Sequence, residues 1–408
     1  VAKRIASSLD AAITPEEEQR IKKLPTSNIE AYDYYRRASY EGQLYLNTHD
    51  IEHLRRSHEL LDKALEIDPF YKWAIAQKGD VFISEGLYDS AFAYANRVLD
   101  IDPEFAWGYG VKGEYYRYTG ASDLAIENYK TAIDHYGSEQ MERGKWYEFL
   151  IGAVYCEQKN DYRKGLLYLQ KGFDMNGEQG GSECQMLGMI FSHIGDYERS
   201  ENYYQKMLDQ EGESNCTGVS FYLTVVLFQS KIDEVLNLLD FLCKPHECWW
   251  VCNKIKFYTY VTLNEFDEAE RFYHQFITDG GTPNRMDSVW LGYLYKETGL
   301  DQKALTVLTN TRKSYERELA KSKFWLAYFN LSSIYALLDD KEKALKYLSE
   351  SVDLGLKLGF HDFLKISPAF ESLRDDPEFK GILQRAQDEK AVIRGQIREM
   401  EERGELDL

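Results

Sequence analysis

A chain of 408 residues that is 44% hydrophobic can bury a large core, either as two or three ordinary domains or as one extended array. Its formal net charge of −19, from 49 basic and 68 acidic residues, argues against nucleic acid as a partner, because phosphate backbones are held by positive charge. The longest apolar stretch, near residues 221–228, falls far short of the roughly 18 residues a membrane span requires, so no membrane helix is expected.

Residues 1–30 read as a helical lead-in. Ile5, Leu9 and Ile13 fall on one helical face, Thr14-Pro15-Glu16-Glu17 has the form of a capped helix start, and Pro25-Thr26-Ser27-Asn28 breaks the chain. The chain opens at Val1 without Met, as an excised segment would, so absent targeting signals say little about compartment. Six cysteines are few for this length and unlike a disulfide scaffold, which favours a reducing, cytoplasmic setting over a periplasmic one.

Residues 31–358 are organised by a repeat. Gly79 is answered by Gly113, Gly86 by Gly120, Ala91 by Ala125 and Pro69 by Pro103, each 34 residues on. Between these marks apolar residues recur at helical spacing, and Gly86 and Gly120 sit where one helix stops and the next begins. A first unit ends in Glu66-Ile67-Asp68-Pro69, with a longer inter-helix turn near residues 47–52. A fourth has Gly152 and Gly165 with one residue inserted at its turn, and residues 177–181 form a loose connection. A fifth is marked by Gly188, Phe191, Gly195 and Ser200, and a sixth by Leu223, Val226, Val235 and Leu239. Phe257, Tyr260, Ala269 and Tyr273 mark a seventh, Gly292, Tyr295, Gly299 and Ala304 an eighth, and Leu331, Tyr335, Ala344 and Leu348 a ninth.

From Phe360 the period fails, and residues 359–408 read as capping helices with a charged tail. Ser367-Pro368 and Asp376-Pro377 look like starts of short helices, and residues 386–404 like a solvated or frayed one. Val392 or Ile393 with Ile397 and Met400 could form a dimer seam, although docking on the chain itself is the ordinary role of so sparse a stripe.

A helical glycine costs roughly 1 kcal/mol against alanine. Gly79, Gly113, Gly152, Gly188 and Gly292 at one repeat position therefore need a reason, and close approach of paired helices supplies it. The pattern Leu291-Gly292…Tyr295…Gly299…Ala304…Leu308 resembles the tetratricopeptide (TPR) consensus over nearly all of residues 30–358. The resemblance implies an all-α fold, an α-α superhelix of about nine helix–turn–helix repeats. The opening Pro25-Thr26-Ser27-Asn28-Ile29-Glu30-Ala31-Tyr32-Asp33-Tyr34-Tyr35 and the closing Phe370-Glu371-Ser372-Leu373-Arg374-Asp375-Asp376-Pro377 are similar to the C-terminal TPR halves of bacterial multidomain signalling proteins, the class III adenylate cyclases and winged-helix regulators.

In such a superhelix the first helix of each repeat lines the concave groove. The resemblance places there the residue six positions before the small one, which is Trp73, Trp107 and Trp146 in repeats two to four and Tyr32 in repeat one. Asp80 and Glu114 follow the small residues, with Arg117, Tyr118 and Phe149 nearby. These nine residues would form an aromatic groove with acidic edges, suited to a protein or peptide carrying apolar and basic side chains. The lysine–asparagine clamp of chaperone-tail TPR proteins is missing, since Asp80, Glu114, Ala153, Met189 and Tyr293 stand at the corresponding positions.

Signs of chemistry are few. Gly108-Tyr109-Gly110-Val111-Lys112-Gly113 spells a dinucleotide motif, but lies inside an expected helix rather than between strand and helix. Cys243, His246, Cys248 and Cys252 match no common zinc spacing, and buried cysteines at helix ends are the expected reading. No phosphate loop or metalloprotease motif occurs. The expectation is a non-enzymatic binding scaffold without metal or cofactor; the alternative is the sensory half of a signalling enzyme or transcription regulator, controlling an output module upstream.

Overall fold

The computed structural model describes residues 26, 28–48, 51–136, 141–172, 181–211, 216–242, 249–319, 325–354 and 364–407. Nearly all of the expected lead-in, most of the 177–181 connection and residues 243–248 of the cysteine cluster lie outside the described residues. Every regular element among the described residues is helical. The chain forms two compact units, residues 1–159 and 160–408.

Unit one contains α1 (Ile29–Thr48), α2 (Ile51–Ile67), α3 (Lys72–Ser84), α4 (Tyr88–Ile101), α5 (Ala106–Tyr118), α6 (Ser122–Tyr136) and α7 (Met141–Glu157). Unit two contains α8 (Tyr162–Gly172), α9 (Gly181–His193), α10 (Tyr197–Glu211), α11 (Cys216–Phe228), α12 (Ile232–Leu242), α13 (Trp249–Thr262), α14 (Phe266–Thr278), α15 (Arg285–Glu297), α16 (Asp301–Leu319), α17 (Trp325–Leu337) and α18 (Lys341–Asp353). A 3-10 turn (Pro368–Leu373) and α19 (Pro377–Glu402) follow. Consecutive helices pack as pairs within each unit, and the first helices of successive pairs also touch, α1 on α3, α3 on α5, and so on from α9 through α17. Each unit therefore has a continuous row of first helices.

The pairs are made by one repeated corner. Gly86, Gly120, Gly195 and Gly299 turn with φ of 73–82°, and Asn160, Ser230, Asn264 and Asp339 occupy the same position with φ of 53–62°. Glycine was legible there in four cases. The other four carry a side chain into the left-handed region, where asparagine and aspartate are tolerated and serine costs roughly 1–2 kcal/mol. The corner closes with a bond from the residue after the turn to the carbonyl five positions back, as Leu87 N–H to Phe82 O and Leu300 N–H to Tyr295 O, both 2.8 Å.

Paired helices do approach at the small positions. Ser57 Oγ donates to Ala38 O at 2.9 Å, Ser200 Oγ to Gly188 O at 2.7 Å, and Ser332 Oγ to Ala344 O at 2.7 Å. What fills the missing side chain is usually a large group 16 residues on: Tyr129 against Gly113, Tyr204 against Gly188 and Leu308 against Gly292. In repeat one the extra length expected in the turn is largely helical, since α1 alone runs 20 residues.

α19 departs most from expectation. Asp376 caps it, accepting from the Glu378 and Phe379 amides at 2.8 and 3.2 Å, and it continues for 26 residues, about 39 Å. Phe379, Ile382, Ala386, Lys390, Ile397 and Met400 form a buried stripe along it. Near its start Arg385 donates to Ser349 Oγ at 2.9 Å. Near its end Arg394 Nη1 donates to Ile194 O at 2.6 Å, Arg199 pairs with Glu401, and Asp407 N–H reaches Gln170 Oε1 at 3.0 Å. The stripe docks on the chain itself, its ordinary role, and is not a frayed tail or a dimer seam: Ile397 and Met400 are fully buried, while Val392 is exposed. Cys216 and Cys252 are each in a disulfide, which the sparse cysteine count did not foretell. No described helix is long and apolar enough to cross a membrane, and no group of potential metal ligands gathers among the described residues.

Candidate functional site

In unit one, three neighbouring first helices present one face each at spacings of three and four residues: Trp73 and Asp80 on α3, Trp107, Gly110, Glu114 and Arg117 on α5, Trp146 and Phe149 on α7. Such spacing keeps side chains on one side of a helix, and the contacts between α3 and α5 make their two faces continuous. The Trp73 and Trp107 rings meet nearly edge to face, centroids 5.7 Å apart at 72°, and Phe105 also meets Trp73 edge to face at 5.6 Å. Trp107 Nε1 donates to Asp80 Oδ2 at 2.8 Å. Trp146 is 51% exposed and stacks on Phe149, which is buried, at 5.2 Å.

A second cluster joins Glu114, Arg117 and Tyr118. Glu114 accepts from Arg117 at 2.7 Å and from the Tyr129 hydroxyl at 2.8 Å, and the guanidinium lies 4.2 Å from the centre of the Tyr118 ring. The structure thus brings together Trp73, Asp80 and Trp107, then Glu114, Arg117 and Tyr118, then Trp146 and Phe149. Tyr32, its ring 6.5 Å from Tyr35 on its own helix, packs against the same buried cluster as Trp73, which includes Ala31, Ala38, Leu61 and Tyr71.

Two residues that sequence reasoning passed over organise this face. Gly110 leaves room for Tyr147 of α7, whose ring and hydroxyl occupy the place where a β-carbon would be. The three glycines of the dinucleotide-like motif admit side chains from three other helices: Val98 and Leu99 of α4 at Gly108, Tyr147 of α7 at Gly110, and Tyr129 of α6 at Gly113. The motif is a packing device of a helix touched on several sides, as its place inside α5 requires.

The electrostatics single out Asp80. Glu114 has the Arg117 guanidinium beside it, whereas Asp80 receives an indole N–H. Burial pushes the Asp80 carboxyl up to about 7, with the Trp107 N–H opposing and the nearby Glu114 reinforcing the rise. A carboxyl whose folded value lies above its unfolded one contributes stability that is complete below about 4 and lost as pH rises through about 7. Asp80→Asn keeps an acceptor for Trp107 and removes the charge. We expect it to raise unit-one stability at pH 8 by about 1–3 kcal/mol, one pKa unit being about 1.4 kcal/mol, and to change nothing near pH 4. Urea melts of both proteins at the two pH values check this; equal gains at both would place the effect outside the titration.

Residues 74–105 and 326–354 match one tetratricopeptide-repeat family model, and residues 183–215 match a second. With the paired helices these place tetratricopeptide repeats in both units of an all-α fold whose helices pack pairwise in helix–turn–helix repeats. No curated protein matches the chain significantly. Among solved structures it is similar to a thermophilic TPR protein from Thermus thermophilus, with 18% identity over 48% of this chain and 99% of that one and a TM-score of 0.40. It is also similar to the apo form of the quorum sensor NprR from B. thuringiensis, with 16% identity, 83% and 91% coverage and a TM-score of 0.44. A dimer of human IFIT1 with m7Gppp-AAAA gives 13% identity, 84% coverage of both chains and a TM-score of 0.47.

Proposed function

We propose that the chain is a non-enzymatic scaffold that captures a protein or peptide segment on the inner face of unit one, formed by α3, α5 and α7. The observation that supports this most is the row of three tryptophans, one per repeat. One of them, Trp107, donates to the Asp80 carboxylate, which has no cationic partner of its own; Trp73 packs against Trp107, and Trp146 stands half in solvent. An apolar stem carrying a cation meets both needs. The ring faces take the stem and the Asp80 carboxylate takes the charge, which also returns that group to its ionised state. The acidic balance of the whole chain favours the same ligands.

The test is selection of peptides from a random library on the intact protein, followed by titration against a variant carrying Trp73→Ala, Trp107→Ala and Trp146→Ala. Selected sequences are expected to carry Lys or Arg flanked by apolar residues. Affinity is expected to fall at least 100-fold in the variant, since buried tryptophans at interfaces are commonly worth ~2 kcal/mol each. Unchanged affinity in a variant that keeps its helicity and melting profile would remove the assignment.

A further inference from the structure

In unit two the corresponding row of first helices already carries an occupant. The 3-10 turn Pro368–Leu373 packs mainly against α15 and α17. Beneath it lie Met286, Val289 and Tyr293 of α15 with Phe329 and Ser333 of α17. Counted from the small positions Gly292 and Ser332, these are the places six before, three before and one after. They are the places that hold Trp107, Gly110 and Glu114 in unit one. The turn therefore lies on the face of unit two that matches the candidate face of unit one, not where a cap on the last helix pair would sit.

The turn has little structure of its own. It is six residues long; at its edges Phe370 N–H reaches Ser367 O at 3.2 Å and Arg374 N–H reaches Glu371 O at 3.4 Å, and the Arg374 side chain reaches the Ser367 carbonyl at 3.3 Å. Its order comes from burial. Pro368, Ala369, Phe370 and Leu373 are all buried, and the Phe370 ring is seated between Phe329 at 6.0 Å and Phe379 at 5.6 Å. The fit is incomplete, because a crevice of about 10 Å³, room for one water, remains between the α15–α17 wall and Ser367, Pro368 and Ala369. A covalently attached segment can afford an imperfect fit, since its tether supplies an effective concentration that reaches the millimolar range.

We propose that the α15–α17 face is a peptide-binding surface in its own right, occupied by residues 367–373 as a built-in ligand. A partner segment with the same order of anchors displaces that ligand: proline, an apolar residue, phenylalanine, and leucine three positions later. A larger apolar side chain in place of Ala369 fills the crevice and makes the incoming segment the better ligand. Only the turn has to leave, because α19 keeps its own contacts with α18 and α8.

The experiment uses the full chain and a fluorescent peptide of residues 367–373, read by anisotropy. A chain carrying Phe370→Ala, whose own segment has lost its anchor, is expected to bind the peptide at least tenfold more tightly than the unaltered chain. A peptide carrying Ala369→Leu is expected to bind it more tightly still, and Val289→Glu in the same chain to abolish both. Equal binding by the two chains, with the variant melting like its parent, overturns the proposal. If Phe370→Ala does not fold, hydrogen exchange on the unaltered chain decides. Amides of the turn are expected to exchange at least tenfold faster than those of α17, and equal protection overturns it. The tryptophan variant of unit one should leave every one of these readings unchanged.

Discussion

Replacing Asp287 by alanine is expected to lower the stability of unit two by about 3–5 kcal/mol, the range found when one member of a buried ion pair is removed. Its carboxylate is 1% exposed and has three partners. Lys254 Nζ lies 3.1 Å from Oδ1, the Tyr258 hydroxyl donates to the same oxygen, and the Asn284 amide donates to Oδ2 at 2.7 Å. Asn284 completes a reciprocal cap at the start of α15, accepting from the Met286 and Asp287 amides. Burial, with Asp287 beside it, holds the Tyr258 hydroxyl far above its ordinary value, so it remains a donor at any physiological pH. The alanine variant strands an ammonium, a hydroxyl and a backbone amide together, across α13 and α15. Equilibrium urea unfolding measures the loss; a change below about 1 kcal/mol would mean that water replaces the carboxylate.

The second large effect is expected at Gly110. Alanine there gains helix propensity of about 1 kcal/mol, yet its methyl group falls on the hydroxyl and ring of Tyr147, which are buried and must shift within packed surroundings. Overpacking of this kind costs typically about 1–3 kcal/mol, and we expect the net loss to lie near the upper end. Tyr147→Leu alone opens a cavity and is also destabilising. Combined with Gly110→Ala it should recover about 1–2 kcal/mol, because the new methyl occupies the space the ring has left. A double-mutant cycle by thermal melting reads this coupling directly. Strict additivity would show that the two positions do not share the contact.

The recurrence of Gly79, Gly113, Gly188 and Gly292 made the helix pairs legible, because close approach of two backbones leaves few alternatives to a residue without a side chain. The corners at Asn160, Ser230, Asn264 and Asp339 were harder to see, since a left-handed turn tolerates several residue types and only glycine announces itself. On the candidate face, Trp73, Trp107 and Asp80 fell together because each lies a fixed number of residues from a small position. Tyr147 was missed because its partner is the absence of a side chain at Gly110, on a helix 37 residues earlier. Docking of the α19 stripe on its own chain was legible, but the length of the helix and its distant contacts were not, for a related reason. Its buried positions are diluted by charge, and the surfaces that cover them, around Ile194 and Arg199, are some 200 residues distant in the chain.

That last helix alters how unit two should come apart. A linear array of helix pairs melts by fraying inward from either extremity, since each pair is held only by its neighbours. Here one rod is bonded at Ser349 and again at Ile194 and Arg199, with Asp407 just past its end bonded at Gln170, so loosening the last pair also pulls on the first ones. Heat or denaturant should therefore meet a closed circuit that yields as one cooperative block.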